Sequence, residues 1–470
     1  MKIPVEFNAL SELPDGWSWQ PLQSLTANPK QDVVDGPFGS NLKASEYVSA
    51  GVPIARLQNI DRNTFVTKNI RFLTPVKAAE LARHEFKPDD ILITKLGDPL
   101  GKACIVPASI GRGVIVADLV RVRPDEKLVD RKYLTYAINS PTLVKQFELH
   151  TKGTTRPRVN LSVLRQLPIP LAPRKIQTDI VAEIEKQFSR LDEAVANLQR
   201  VKANLKRYKA SVLKDAVEGR LVPTEAELAR REGRSFETGE QLLQRIEGEQ
   251  RRAWKGKGPF KSLGPPTALP LPDLPPGWIW ATANQICGQI TDGEHIQPRY
   301  QQVGQPMLTA KNVRDGYVTF DNAGLIAEID FQNCLKRCAP IEGDILIVSV
   351  GATTGRSAIV GPTKPFALVR SVLLLKPLIP SRYLLSVIQS STCQTYIQRA
   401  SGSTAQAHLY IKDTRTLPIP IPPLAEQERI VAEVDRRLSL VQGVELAVDA
   451  DLKRAQGLRQ SVLSKSFMVS

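Results

Sequence analysis

The residues that most invite a chemical reading form a glycine-flanked loop, Gly97-Asp98-Pro99-Leu100-Gly101-Lys102-Ala103. It returns as Gly351-Ala352-Thr353-Thr354-Gly355-Arg356-Ser357. A nucleotide-binding phosphate loop encloses four residues between these glycines and follows the second with Lys and a magnesium-holding hydroxyl. Here the glycines enclose three residues, Ala103 has no hydroxyl, and the second copy carries Arg in place of Lys. The loop fits instead a turn after a strand that brings backbone and a cation near an anion. No Gly-x-Gly-x-x-Gly opens a helix after a strand, and the Asn-Pro-Pro-aromatic mark of amino-methyltransferases is absent. Cys334 and Cys338 stand four apart, but the four His are scattered and there is no second Cys pair, so no metal site is expected. No Ser, Cys and His are spaced for nucleophilic attack, and no carboxylates stand out as an acid and base pair. The chain reads as a recognition protein and not as an enzyme.

Bulk composition says what could be recognised. A net charge of +15 and a pI near 9.6 point to a polyanion, most simply nucleic acid. With 470 residues there is room for about two to four domains, each with its own core. Five scattered cysteines (Cys104, Cys287, Cys334, Cys338, Cys393) argue for reduced thiols and a cytoplasmic home. No apolar run reaches the roughly 18 residues of a membrane span, and the N-terminus shows no apolar signal region.

The elements that must position any binding residues come in duplicate. Leu167-Pro168-Ile169-Pro170, followed by Ile180-Val181-Ala182-Glu183, recurs as Leu417-Pro418-Ile419-Pro420, followed by Ile430-Val431-Ala432-Glu433. Each copy is a rigid Pro-rich strap leading into a helix. Upstream, Gly16-Trp17-Ser18-Trp19 matches Gly277-Trp278-Ile279-Trp280; aromatics two apart lie on one face of a strand and suit core anchors. Asp35-Gly36 and Asp292-Gly293 are matched turn signals. The runs from Pro53 and Pro306, and from Asp90 and Asp344, read as short strands; Tyr133-Leu134 and Tyr383-Leu384 open matched helices. The offset falls from 261 at Trp17/Trp278 to 253 at Asn59/Asn312 and 250 at Leu167/Leu417. The frame is repeated while most other positions differ.

After each strap an apolar line runs in steps of three and four. It comprises Ile180, Ile184, Phe188, Leu191, Leu198 and Leu205 in the first copy, and Ile430, Val434, Leu438, Val441, Val448 and Leu452 in the second. Sustained 3.5-residue periodicity predicts an antiparallel coiled coil. Lys202, Lys209, Glu445 and Arg459 interrupt the line, and opposite charges there could fix its register. Residues 224–272 hold a short helical pattern, a basic stretch from Arg251 and a Pro-rich run, and read as a linker with little core.

The strap and helix start Leu417-Pro418-Ile419-Pro420-Ile421-Pro422-Pro423-Leu424-Ala425-Glu426-Gln427-Glu428-Arg429-Ile430-Val431, with its first copy and the two Gly-Trp-x-Trp openings, resembles the specificity subunit of type I restriction-modification systems. The first copy departs at Arg174 to Thr178. The resemblance covers nearly the whole chain. It implies an α+β fold in which two β-rich α/β target-recognition domains are joined by two long antiparallel coiled-coil helices with pseudo-two-fold symmetry. The segments would be a first recognition domain at 1–172, a central helix at 173–223, the linker at 224–272, a second recognition domain at 273–422 and a C-terminal helix at 423–470. It further implies that each domain reads one half of a bipartite, asymmetric double-stranded DNA site. Two methyltransferase subunits carrying S-adenosylmethionine would dock on the helices, restriction subunits using ATP and Mg would join them, and this chain would hold no cofactor. A basic coiled-coil scaffold that binds DNA without reading it is the alternative.

Candidate DNA contacts in the first half are Arg56, Gln58 and Asn59 at a strand end, Lys95 and Lys102 about the glycine turn, and Thr154, Thr155, Arg156 and Arg158 in the polar loop before the strap. In the second half they are Lys311, Asn312, Ser349, Thr354, Arg356, Ser403, Thr404, Gln406 and His408. Cations near the phosphates would supply sequence-blind affinity, and Arg, Lys, Asn and Gln at base edges the readout.

Overall fold

A computed structural model describes residues 12–39, 41–97, 99–151, 157–255, 259–260, 262–266, 271–296, 298–402 and 407–467. The fold is α+β. The chain divides into a first unit of residues 1–199 with 449–470 and a second of residues 200–448.

In the first unit the Trp opening and the strap are one ribbon. Ser18–Pro21 pairs antiparallel with Pro168–Leu171, setting Trp19 opposite Pro170. The helix Arg131–Ile138 lies against it, and the buried Tyr133 hydroxyl donates to Pro170 O at 2.6 Å. Two four-stranded sheets follow. One runs Val33–Asp35, Leu119–Val122, Ile91–Thr94, Ala103–Ile105; the other Arg71–Leu73, Val52–Ala55, Gly113–Ile115, Glu85–Phe86. Ile91, Ile93, Val120 and Val122 share a core with Tyr133, Leu134 and Ile169.

The second unit repeats these pairings. Ile279–Thr282 pairs with Pro418–Ile421, Trp280 faces Pro420, and the buried Tyr383 hydroxyl donates to Pro420 O at 2.7 Å. One sheet runs Cys287–Asp292, Val372–Pro377, Ile345–Val348, Ser357–Ile359; the other Gly324–Ile326, Gln305–Leu308, Ala367–Leu368. The segment 224–272 is not a bare linker. Helices Glu225–Glu232 and Gly239–Ala253 fold there, and Leu242, Leu243 and Ile246 join the core with Trp278, Ala281 and Ile421. Burying three such side chains contributes roughly 1.5–3 kcal/mol each, enough to hold the segment down despite its charge. A polar lock adds to this: Glu426, buried, accepts from the Glu225 N–H (2.8 Å) and the Trp278 indole (3.0 Å). Burial pushes the Glu426 carboxyl up. For Glu225 burial acts the same way, but Arg234 (2.6 Å) and Arg429 (2.7 Å) outweigh it and hold the group below its usual range.

Two helices of 44 residues, Arg174–Val217 and Leu424–Phe467, contribute to both units; at 1.5 Å per residue each is about 66 Å long. Along their seam Ile184, Phe188, Ile430, Val434, Val441 and Val448 are buried, and Ile180, Leu191, Leu198, Leu205, Leu438 and Leu452 are half-buried. In the first unit Ile184 and Phe188 share a core with Leu463 and Phe467. The Arg459 guanidinium lies 5.1 Å over the Phe188 ring and pairs with Asp192. In the second unit Val212, Leu213 and Val217 share a core with Ile430 and Val434, and Lys209 meets Glu445 at 2.6 Å. Numbers rise on one helix as they fall on the other, so the pair runs antiparallel. Lys209, Glu445 and Arg459, charges that interrupt the apolar line, thus find partners on the facing helix. Among the described residues no helix is long and apolar enough to cross a membrane.

Candidate nucleic-acid interface

In each unit three loops are stitched together where the central strand ends. In the first, the Lys95 N–H donates to Asp118 O (2.9 Å), the Val159 N–H donates to Lys95 O (2.9 Å), and Leu96 bridges Arg158. In the second, the Ser349 N–H donates to Ser371 O (2.9 Å), the Leu409 N–H donates to Ser349 O (2.8 Å), and Val350 bridges His408. The backbone contacts match atom for atom while the side chains at the matched places do not. Asp35 and Asp292 close the neighbouring strands at this edge, and each has different side-chain partners. Lys95 meets Asp35 at 2.6 Å; Arg337 and His295 meet Asp292 at 2.5 and 2.8 Å.

The structure sorts the expected contact residues. Asn59, Asn312 and Ser349 are buried, which corrects their reading as DNA contacts. Asn59 accepts from the Arg56 N–H (3.1 Å) and donates to Val66 O (2.8 Å); Asn312 accepts from the Thr309 N–H (3.0 Å) and donates to Thr319 O (3.1 Å). Each holds a one-turn helix against a following loop. Ser349 donates to Arg370 O at 3.4 Å. Arg56 is half-buried, donating to Asn69 O (2.6 Å) with its guanidinium 5.8 Å from the Tyr47 ring centre. Thr354 donates to Gly351 O (2.7 Å) inside its turn.

The glycine-turn cations also have partners within their own unit: Lys102 with Asp61 (3.0 Å) and Arg356 with Asp315 (3.5 Å). Burial raises the Asp61 carboxyl, but hydrogen bonds from Lys102 and the Arg62 N–H outweigh it and leave it lowered. Gln58, Arg158 and Lys311 are exposed, and His408 is half-buried with its ring centre 4.0 Å from that of exposed Tyr410. Thr154, Thr155, Arg156, Ser403, Thr404 and Gln406 lie outside the described residues.

Beside this edge the second unit carries an open concavity of about 830 Å³, lined in part by Lys311 and Arg370. Both are exposed, and neither has a carboxylate partner among the described residues. Arg370 lies in a turn without a motif, so nothing in the sequence alone singles it out. Paired cations and amides on rigid turns can hydrogen-bond phosphates and base edges. All five cysteines are buried and unpaired, and burial pushes the thiols of Cys104, Cys338 and Cys393 up to about 12. Among the described residues no cluster of three or more His, Cys, Asp or Glu is placed to hold a metal ion.

Comparison with known proteins agrees with this geometry. The chain is 24% identical to the specificity subunit of the type I restriction enzyme EcoBI of Escherichia coli, over 99% of this chain and 88% of that one. It is 21% identical to the EcoKI specificity subunit of E. coli strain K12, over 97% and 89%. A solved chain from work on complex assembly and conformational transition of the type I R-M system has the same fold, with a TM-score of 0.61 at 20% identity, covering 97% of this chain and 99% of that one. The type I restriction modification DNA specificity domain matches residues 83–207 and 296–439, together more than half of the sequence, and the chain belongs to that family.

Proposed function

We propose that this chain is the DNA-specificity subunit of a type I restriction-modification complex, in which each sheet-rich unit reads one half of a bipartite, asymmetric site. One observation carries this reading: the units share a backbone frame down to matched hydrogen bonds, yet line the same edge with different side chains. A duplicated frame with different lining is what two different half-sites require. The long helices set the spacing between half-sites and dock two methyltransferase subunits, which carry S-adenosylmethionine. Restriction subunits using ATP and Mg join that assembly. The chain itself performs no catalytic step, holds no cofactor and works in the cytoplasm of a bacterium or archaeon. Its surplus of cations supplies affinity that falls steeply as salt rises.

The test is to co-express the chain with its methyltransferase subunits in a host free of background methylation and to map modified bases across the genome. A two-part motif that disappears when the chain is omitted is expected. Methylation without a motif would favour a DNA-binding scaffold, and a motif that persists without the chain would remove it from recognition.

A further inference from the structure

We infer that the letters of each half-site are set chiefly by six matched positions in each unit: 47, 48, 49, 58, 71 and 117 in the first, and 300, 301, 302, 311, 324 and 370 in the second. The inference rests on the DNA-reading function proposed above. Strand pairing, not side-chain similarity, identifies the positions. Val48 bridges Phe72 as Gln301 bridges Leu325. Ile54 faces Arg71 as Met307 faces Gly324, and Val114 faces Ile54 as Ala367 faces Met307. The Val116 N–H donates to Ala55 O, and the Val369 N–H to Leu308 O, both at 3.1 Å. The buried Asn59 and Asn312 fix the turns that carry positions 58 and 311.

On this common frame the side chains part company. The second unit presents Tyr300, Gln301, Gln302, Lys311, Gly324 and Arg370, all lining its concavity. The first has Tyr47, Val48, Ser49, Gln58, Arg71 and Ala117 in their places, and only the tyrosine is shared. A Cβ at Gly324 would lie 2.2 Å from the Tyr300 ring, so glycine lets that ring sit against the backbone. Arg370 is presented from a backbone held on both sides, its N–H donating to Glu294 O (2.9 Å) and its O accepting from Ser349 (3.4 Å). The Gln301 N–H is likewise pinned to Leu325 O at 2.8 Å. Rigid presentation of Arg, Lys and two Gln suits guanine and adenine edges in a major groove. The first unit offers one Arg, one Gln and one Ser, and so must read different letters.

The experiment uses the full chain assembled with its methyltransferase subunits, with genome-wide mapping of modified bases. The variants are Arg370→Ala, Arg370→Lys, Gln301→Ala and Gln302→Ala in the second unit, and Gln58→Ala and Arg71→Ala in the first. Second-unit variants should relax one or two positions of a single half-site, and first-unit variants positions of the other half only. Discrimination at the affected base should fall roughly 5- to 150-fold. Arg370→Lys keeps the charge and loses the two-pronged geometry, so it should still weaken discrimination if the alanine variant assembles poorly. A uniform drop in methylation with the letters intact would mean phosphate contact or a folding defect and would overturn the inference, as would changes in both halves. Failure of the underlying function looks different, because the unaltered chain would then give no two-part motif.

Discussion

Replacing Tyr383 with Phe tests whether the matched strap locks stabilise each unit internally. The hydroxyl is fully buried and donates to Pro420 O at 2.7 Å, and Tyr133 makes the equivalent 2.6 Å bond to Pro170 O. Removing it creates almost no void but takes away one hydrogen bond and leaves a buried carbonyl short of a donor. A net hydrogen bond is worth about 1 kcal/mol, and a stranded buried acceptor costs about 1–3 kcal/mol, so a loss of about 1–2 kcal/mol is expected. For a unit of residues 200–448 that corresponds to a fall in Tm of roughly 2–8 °C. Urea unfolding followed by tryptophan fluorescence is the assay, because Trp278 and Trp280 sit at the ribbon the tyrosine secures. The midpoint should fall with the slope unchanged. Tyr133→Phe should give a similar shift, since both hydroxyls reach matched atoms. A change within the roughly 0.5 kcal/mol typical of surface substitutions would refute the lock.

Four further outcomes follow from the geometry. Lys209→Glu, which sets like charges across the 2.6 Å contact with Glu445, should cost about 0.5–1 kcal/mol, and adding Glu445→Lys should restore most of it; a double variant no better than the single one would show that this pair does not fix the register. None of the five buried thiols should react with a disulfide reagent at pH 8 until denaturant is added. The unfolded thiols ionise near pH 9 while burial keeps Cys104, Cys338 and Cys393 protonated to about 12; their contribution is therefore full below pH 9 and is lost as pH rises through that window, so the urea midpoint should be lower at pH 10 than at pH 8. A Cβ at Gly36 would lie 2.1 Å from Val116 O, and one at Gly293 2.2 Å from Leu368 O, so Ala at either position should destabilise its unit by roughly 2–4 kcal/mol, measured by the same denaturation.

Much of the frame is legible in the sequence because duplication prints it twice. The Trp openings, the straps, the apolar runs and the helix seam all repeat. What repetition does not show is pairing across the chain: strap and opening lie about 150 residues apart, and their union into one ribbon depends on tertiary contacts such as the Tyr133 and Tyr383 hydroxyl bonds. The candidate site was harder to read for a related reason. Asn59 and Asn312 read from sequence as contacts because polar residues recur at a strand end, yet recurrence marks the frame, and both are buried locks. Positions that change between copies, such as Ala117 against Arg370, carry no motif and emerge only once strand register aligns the units. The segment 224–272 was obscured by its charge and prolines, although Leu242, Leu243 and Ile246 already formed an apolar stripe on one helix face.

The most direct measurement replaces residues 13–166 with the corresponding half of another family member, assembles the hybrid with the methyltransferase subunits, and maps its methylation motif beside that of the unaltered chain. One half-site should take new letters while the other half-site and the spacer length stay as they were. New letters in both half-sites, or in neither, would contradict two independent readers on a shared frame.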